Sequence, residues 1–422
     1  MRAQFLDQQW RRYPALPEGI AMSWARIRHF QSGGIQTDMG GRLNFADRVH
    51  LGPTVSSQAA VSRAQLEVVL RPGDWIAWET ANARQPLSEL WLLAPCLTGA
   101  APRPRVGRET LEAWADLQAG IRQFFKSQGF LEAQTPTLVI GPGTEPSLEP
   151  FRTQWKVGQR NFPLTLPTSP EIHLKKMLAM NMGPLFELKT CFRNGEVTEL
   201  HEPEFTMLEW YRPGAPLTKI ADDAVQLVKQ MSNAEDVPVV HTTMKDLFAQ
   251  HLGVTITPES THEEWLQIAK TAKIDVHASD STSDLFHRLW LEKIESQWDS
   301  ETLWVVSDFP PFQAAYARIK SDGWAERFEI YWRGLELCNA FHEVNDPVLQ
   351  KQRMIQDLQI KKELGRETVE LDEEFLRALE SGMPPSSGIA LGVDRLFMAI
   401  NHVPTIQNLR LFPSERWLSS EA

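Results

Sequence analysis

The densest polar constellation in the chain is Phe192-Arg193-Asn194-Gly195-Glu196-Val197-Thr198-Glu199-Leu200-His201-Glu202-Pro203-Glu204-Phe205-Thr206, a charged loop between two apolar strands. A guanidinium at the exit of the first strand suits a bidentate grip on a phosphate, and the loop carboxylates leave acceptors for a base or a sugar. A solvated hairpin loop with surface ion pairs explains the same residues. Glu329, Glu336 and Glu343 recur seven apart across an apparent hairpin turning at Gly334. Acids on facing strands can hold a divalent cation, because Mg²⁺ takes one or two carboxylates and leaves its other positions to water and phosphate. The odd spacing puts Glu336 and Glu343 on opposite strand faces unless a bulge near Asn339-Ala340 reverses one of them. Taken alone, such acids face solvent. The third candidate, Ser386-Ser387-Gly388-Ile389-Ala390-Leu391-Gly392-Val393-Asp394-Arg395-Leu396-Phe397-Met398, reads as a small-residue strand delivering Arg395 at a helix start. Glycines there admit a ligand close to the backbone and the arginine can clamp a phosphate; tight strand-to-helix packing is the competing reading. The segment is neither a Walker loop nor a dinucleotide fingerprint.

Several elements must position these residues. Leu111, Trp114, Leu117, Ile121, Phe124 and Phe125 recur at helical spacing, with Thr110 as expected N-cap and Gly129 as expected stop. The helix runs into a strand, Phe130-Leu131-Glu132-Ala133, ended by Thr135-Pro136. Thr206–Tyr211 and Phe328–Trp332 are strand-like, the second turning at Arg333-Gly334 into Leu335-Glu336-Leu337. Residues 213–300 carry helical patterns, as in 221–231 and 285–294. The expected class is α/β with antiparallel pairing.

Residues 1–100 differ in composition: ten Arg, no Lys, eight acids and five of the fifteen Trp. Ser23–Arg28 and Val68-Val69-Leu70, broken by Gly33-Gly34, Gly40-Gly41 and Pro72-Gly73-Asp74, predict a small, mostly β module, for which an OB-like barrel is one expected form. Residues 99–107, with two Pro and two Gly, read as a linker to a domain over 101–422. The whole chain has 422 residues, 42% of them hydrophobic, and a net charge of −11. That argues against generic affinity for nucleic acid over the whole surface, though not against a local basic patch. Cys96, Cys191 and Cys338 lie far apart, which fits a reducing cytosol better than a disulfide framework or a zinc site. No apolar run suits a signal peptide or a membrane span, so a soluble cytoplasmic protein is expected.

Taken in order, these segments resemble the core of a class II aminoacyl-tRNA synthetase of the lysyl type. Phe130 through Pro136 resembles motif 1, Phe192-Arg193 through Tyr211 motif 2, and Gly388 through Arg395 motif 3. Thr168-Ser169-Pro170-Glu171 with His173-Leu174-Lys175-Lys176 resembles the lysyl-type substrate loop. The likeness covers about residues 105–415. Within that group the chain looks closer to the elongation factor P lysine ligases, truncated relatives without a tRNA anticodon domain. Pro203-Glu204-Phe205-Thr206-Met207-Leu208-Glu209-Trp210-Tyr211-Arg212-Pro213, Glu326-Arg327-Phe328-Glu329, Phe341-His342-Glu343 and Ser387 through Gly392 carry that likeness.

The resemblance implies an antiparallel sheet flanked by helices, a homodimer through the motif 1 helix and strand, and a two-step reaction dependent on ATP and Mg²⁺. A lysine or a lysine isomer such as β-lysine becomes an aminoacyl-adenylate and passes to a lysine of elongation factor P, with tRNA as the alternative acceptor and a non-catalytic binding protein as a rival. It further implies that Arg193 holds the α-phosphate and Arg395 the γ-phosphate, with Leu337 and Gly392 also at the nucleotide. Glu329 with Glu336 would bind Mg²⁺. Glu343 and Tyr211 would take the side-chain ammonium, Ser169 and Glu171 the other amino group, and Asn339 the carboxylate. Ala390 stands where lysyl-tRNA synthetases have Gly; a methyl there favours a β-lysine-like substrate by about 1–3 kcal/mol at most.

The chain departs from the family pattern in motif 2. Gly195 replaces the Glu that accepts from the adenine amino group, and Glu202 replaces an Asn, so Glu202 or Glu196 is the expected substitute acceptor. Ala340 also replaces a Gly. The N-terminal module is absent from the short ligases, and RNA binding, a structural cap or protein docking would each suit its Arg and Trp content.

Overall fold

Along β1 (Met22–Gln31), Ala25 and Ile27 are buried while Trp24 and Arg28 are exposed, the period-two pattern of a strand with one face on a core. The same alternation buries Ile35 and Thr37 of β2 (Gly34–Thr37) and Leu43, Phe45 and Val49 of β3 (Arg42–Gly52), while β5 (Trp75–Glu79) buries Ile76, Ala77 and Trp78 in succession and β6 (Leu87–Ala94) buries Leu87 and Leu90; the short β4 (Ala60–Ser62) lies beside β3. The strands close in the order β1-β2-β3-β6-β5-β1, with β3 and β6 parallel and the other pairs antiparallel. That order closes the five longer strands into a small barrel. Ile27, Ile35, Leu43, Phe45, Val49, Ile76 and Leu90 fill its interior. The computed structural model describes residues 22–31, 34–39, 42–52, 60–62, 66, 70–72, 74–79, 86–94 and 106–415. Val68, Val69, Gly33, Gly40, Gly41, Gly73, Cys96 and residues 99–105 of the expected linker lie outside the described residues.

The chain divides into two compact units, Met1–Pro104 and Arg105–Ala422. The second begins with α1 (Arg108–Ser127), capped by Gly107 without a side-chain bond, so Thr110 lies inside the first turn rather than at the cap. Leu117, Ile121, Phe124 and Phe125 are its buried stripe; Leu111 stays exposed. Gly129, at φ +79°, follows the helix as its stop. The expected four-residue strand shortens to β7 (Leu131–Glu132), because Pro136 and the turn into the next loop end its pairing.

An eight-stranded sheet organises this unit. Its order is β12 (Val239–Thr243), β13 (Leu303–Phe309), β14 (Ala325–Trp332), β15 (Leu335–His342), β16 (Ser386–Gly392), β11 (Glu204–Pro213), β10 (Leu185–Phe192), β7. The inner pairs are antiparallel; only the two edges, β12–β13 and β10–β7, pair in parallel. A separate hairpin, β8 (Arg152–Val157) with β9 (Arg160–Thr165), stands outside the sheet.

The two faces of the sheet have different tasks. Leu208, Trp210, Ile389, Leu391, Phe328, Ile330 and Ala340 point to the back, where α1, α3 (Leu217–Ser232) and α9 (Val393–Asn401) cover them with Phe125, Leu227 and Leu396. The alternating residues point forward into a cleft. A second core, around Trp265, Phe286 and Trp290, joins α4 (Met244–Leu252), α5 (His262–Thr271) and α6 (Thr282–Leu289) to β13 and β14. The expected 285–294 helix is α6 continued by a π turn at Trp290–Ile294. On the cleft side, α2 (Glu171–Ala179) packs with α7 (Pro347–Glu363) and α8 (Glu373–Glu380) through Leu174, Met354 and Phe375.

Candidate active site

Register across four neighbouring strands places the forward-facing side chains in rows. One row runs Tyr211, Gly388, Phe341, Arg327 and the next Glu209, Ala390, Asn339, Glu329, because directly paired residues share a face. The turn at Arg333 and Gly334, both in the left-handed region at φ +53° and +72°, joins β14 to β15. Ile330 pairs with Cys338 and Tyr331 with Glu336, so Leu337 is the extra residue of a bulge. The bulge thus falls at Leu337, not at Asn339-Ala340: Asn339 and Ala340 keep regular pairs on both sides, which leaves the irregularity to the strand's start. It brings Glu336 round to the face of Asn339, Phe341 and Glu343.

These rows line a cavity of about 300 Å³ that includes Ser169, Glu171, Arg193, Glu196, Glu202, Tyr211, Glu336, Leu337, Asn339, Glu343, Ala390, Gly392 and Arg395. Of the residues singled out from sequence, Glu329 alone does not line it. It pairs with Asn339 across the β14–β15 ladder, with its carboxylate accepting from Arg327 and from the Tyr331 hydroxyl.

One end of the cleft is cationic. Arg193 leaves β10 against the Phe205 ring, 5.0 Å from its centroid, and reaches Glu196 at 3.7 Å. Its Nε is buried without a partner. Gly392 ends β16 and caps α9, so Arg395 projects from the first helical turn. Its Nη1 donates to the Glu336 carbonyl at 3.0 Å and lies 3.8 Å from the Glu336 carboxylate. Enclosure and then the Glu329 charge push the Glu336 carboxyl up to about 7, although 42% of its side chain is open to water.

The loop between β10 and β11 turns at Gly195, φ +78°, a conformation that a side-chain-bearing residue adopts only with strain, and open space surrounds the position. Glu202 is buried; its Oε2 accepts from the Ser414 N–H at 3.2 Å while Oε1 has no partner.

The other end is acidic and holds residues the sequence did not single out. Lys175 lies on α2 four residues after Glu171 and bridges it to Glu343, whose Oε2 is 2.6 Å from Nζ. Burial would strip its proton, but Glu171 and Glu343 outweigh that and hold it above the ordinary ammonium range. Glu209 accepts from the Tyr211 hydroxyl at 2.9 Å, and burial, then the Glu171 charge, keeps its carboxyl well above the usual range. Burial raises Glu343 to about 7 against the pull of Lys175. Glu145, at the cleft wall, is raised to about 7 by burial and then Glu171. Two signals were readable: Glu209 stands two residues before Tyr211 on one strand face, and Lys175 one helical turn after Glu171. Glu145 carried none, since its loop has no period.

Asn339 Oδ1 accepts from Arg327 Nε at 3.0 Å, which leaves its amide N–H to donate into the cleft. A bound molecule would therefore meet arginines at one end, an amide donor in the middle and carboxylates at the other. Among the described residues no group of three or more His, Cys, Asp or Glu is placed to hold a metal ion, and no helix is long and apolar enough to cross a membrane.

The comparisons agree with this geometry. A family model described as tRNA synthetases class II (D, K and N) matches residues 101–416. A protein of Haemophilus influenzae (strain PittGG) named elongation factor P--(R)-beta-lysine ligase is 37% identical over 301 residues, covering 70% of this chain and 92% of that one. Proteins of the same name from Hamiltonella defensa and Edwardsiella ictaluri are 34% and 37% identical, each covering 72% of this chain and 94% of their own.

Proposed function

Because this chain belongs to the class II (D, K and N) tRNA synthetase family, and within it to the elongation factor P--(R)-β-lysine ligases, we propose that it activates (R)-β-lysine with ATP and transfers it to a lysine of elongation factor P. The charge division of the cleft carries this reading: Arg193 and Arg395 at one end suit a triphosphate, and Glu171, Glu209 and Glu343 at the other suit a substrate with two ammonium groups.

In the first step a carboxylate oxygen of the amino acid attacks the α-phosphorus of ATP, the bond to the β-phosphate oxygen breaks, and pyrophosphate leaves. In the second the acceptor amine attacks the acyl carbon, AMP departs with the bonding pair, and the amine's proton passes to solvent. No protein nucleophile is required; the residues position the reactants and neutralise charge. Arg193 faces the α-phosphate, where its buried, unpartnered Nε has a donor to give. Arg395 takes the γ-phosphate, with Leu337 and Gly392 against the nucleotide. Asn339 orients the attacking carboxylate. Tyr211 with Glu343 takes the terminal ammonium, and Ser169 with Glu171 the nearer one. Glu202, with one buried oxygen free, replaces the adenine acceptor lost at Gly195, while Glu196 is occupied by Arg193.

Two carboxylates on one face, one raising the proton affinity of the other, fit a divalent cation. Glu336 would hold Mg²⁺ with Glu329, and the cation would supply charge neutralisation at the phosphates. The reading also includes a homodimer through the motif 1 segment, where Leu131, Leu138 and Ile140 are exposed, and a cytoplasmic site of action, which the buried free thiols Cys191 and Cys338 support.

The test is ATP–pyrophosphate exchange with (R)-β-lysine, its enantiomer, α-lysine or no amino acid, with Arg395→Ala as blank. Exchange that prefers (R)-β-lysine supports the reading, and none with any isomer in folded protein overturns it. A second reading, transfer to tRNA, is favoured by the small β-barrel of the N-terminal unit. Label recovered on tRNA instead of on elongation factor P after transfer would select it.

A further inference from the structure

Lys175 is 2% exposed, and its ammonium lies among the acids that the proposed reading gives to the substrate's amines. The groups around it come from every side of the pocket. Glu171 is on its own helix and Glu343 follows β15; Glu209 and Tyr211 come from β11, and Glu145 with the Tyr316 ring from the loops above. Nζ stands 5.2 Å from the Tyr316 ring centroid. Glu171 and Glu343 pair with this ammonium directly, its charge also acts on Glu209, and Glu145 lines the same cleft within reach of the Glu171 charge.

We propose that Lys175 is the positioning residue of the amine pocket, an internal ammonium that holds the Glu171 and Glu343 carboxyls in place, and so sets how many substrate ammonium groups the pocket accepts. The inference rests on the amine-pocket reading above. Carboxyls this close would hold protons in common if no cation stood among them, and a protonated carboxyl presents a neutral face to a substrate ammonium. With Lys175 in place, one oxygen of Glu343 is fixed at 2.6 Å from Nζ. The other, Oε1, lies against Gly388, where a β-carbon would overlap it. A pocket with its own ammonium takes a diamine without becoming either overcharged or empty of charge. An uncharged side chain at 175 would leave room, in charge, for one more proton.

The sign of the effect follows from the neighbours. Removing the Lys175 charge raises the Glu343 carboxyl further, so amine binding is lost at higher pH than in the wild type. Removing the Glu171 charge, which raises Glu343, moves the loss to lower pH. A residue with only a packing role moves neither limb in opposite senses.

The experiment is calorimetric binding of (R)-β-lysine without ATP, as a function of pH, to wild type, Lys175→Met and Glu171→Gln, with exchange measured alongside. The expected result is an acid limb displaced upward by about one pH unit in Lys175→Met, with affinity about tenfold weaker at neutral pH. Glu171→Gln should displace the limb downward. Equal limbs in wild type and Lys175→Met, or an upward shift in Glu171→Gln, overturn the proposal while the proposed activity stands. If Lys175→Met does not fold, Glu171→Gln alone decides by the direction of its shift. Wild type that binds no diamine at any pH removes both.

Discussion

Arg395 donates from Nη2 to Nε2 of His201 at 2.7 Å, which makes His201 a neutral acceptor at that nitrogen and leaves Nδ1 to meet the Thr198 hydroxyl at 2.8 Å. Burial and then the arginine charge hold the imidazole below its ordinary range. The motif 2 loop therefore fixes the motif 3 arginine before any nucleotide arrives. Protonating His201 would turn the acceptor into a donor and push Arg395 away.

The pH dependence follows from that sign. The unfolded chain takes up the His201 proton first, near 6.5, so the contribution of this contact is whole above that value and is lost as pH falls through the lower folded-state value. We expect the KM for ATP to rise as pH falls below the ordinary imidazole range, and in His201→Ala to be about tenfold higher at neutral pH and less pH-dependent. Steady-state exchange across pH checks it; a wild-type profile in His201→Ala would remove His201 from the arginine's positioning.

Glu202→Ala should weaken ATP about tenfold through loss of Oε1, a buried acceptor without a hydrogen-bond partner at the cleft, whereas Glu196→Ala should cost less than threefold because its partner Arg193 is kept by Phe205. Nucleotide binding measured on both variants separates them. Unchanged affinity in Glu202→Ala would show that the Gly195 departure is left uncompensated.

How far the sequence carried this reading depended on period and spacing. The strands β11, β14 and β16 were legible, but Tyr211, Asn339 and Arg395 were brought together by the resemblance to the lysyl-type class II core, and all three line the cleft. The bulge was legible only as a necessity: the odd spacing of Glu336 and Glu343 required one, but its place at Leu337 depends on how the tight turn at Arg333-Gly334 feeds the strand. Thr110 misled because a good capping residue also tolerates the first helical turn. Lys175 stood in the segment that resembles the substrate loop, one helical turn after Glu171, but its pairing with Glu343 was not legible, because that partner is far away in sequence and the two meet only in the folded chain.

Ala390 stands in the sheet directly between Glu209 and Asn339, the amine and carboxylate ends of the proposed substrate. Its methyl therefore reduces the depth between those two groups. Ala390→Gly should raise kcat/KM for α-lysine relative to (R)-β-lysine by about tenfold, near the middle of what one methyl can discriminate. Exchange with both isomers measures the ratio; an unchanged ratio would move isomer choice to the carboxylates.

Gly388 and Gly195 make opposite demands, and substituting each by alanine shows which part of the site is packed and which is shaped by backbone. At Gly388, whose φ is not in the left-handed region, a β-carbon would overlap the Tyr211 ring and the Glu343 carboxylate. Neither can retreat: Tyr211 is tied to Glu209 and Glu343 to Lys175. Gly388→Ala should cost about 1–3 kcal/mol of stability and abolish amine-dependent exchange, because the displaced groups are the proposed amine ligands. At Gly195 a β-carbon meets open space, but φ +78° strains it. Gly195→Ala should cost roughly 1–2 kcal/mol and leave amine affinity unchanged, since strain in the motif 2 loop does not reach the acidic end. Denaturant unfolding with calorimetric diamine binding on both variants reads stability and pocket separately. Retained diamine affinity in Gly388→Ala would mean that Tyr211 and Glu343 can yield, and that the amine end is less tightly assembled than its hydrogen bonds imply.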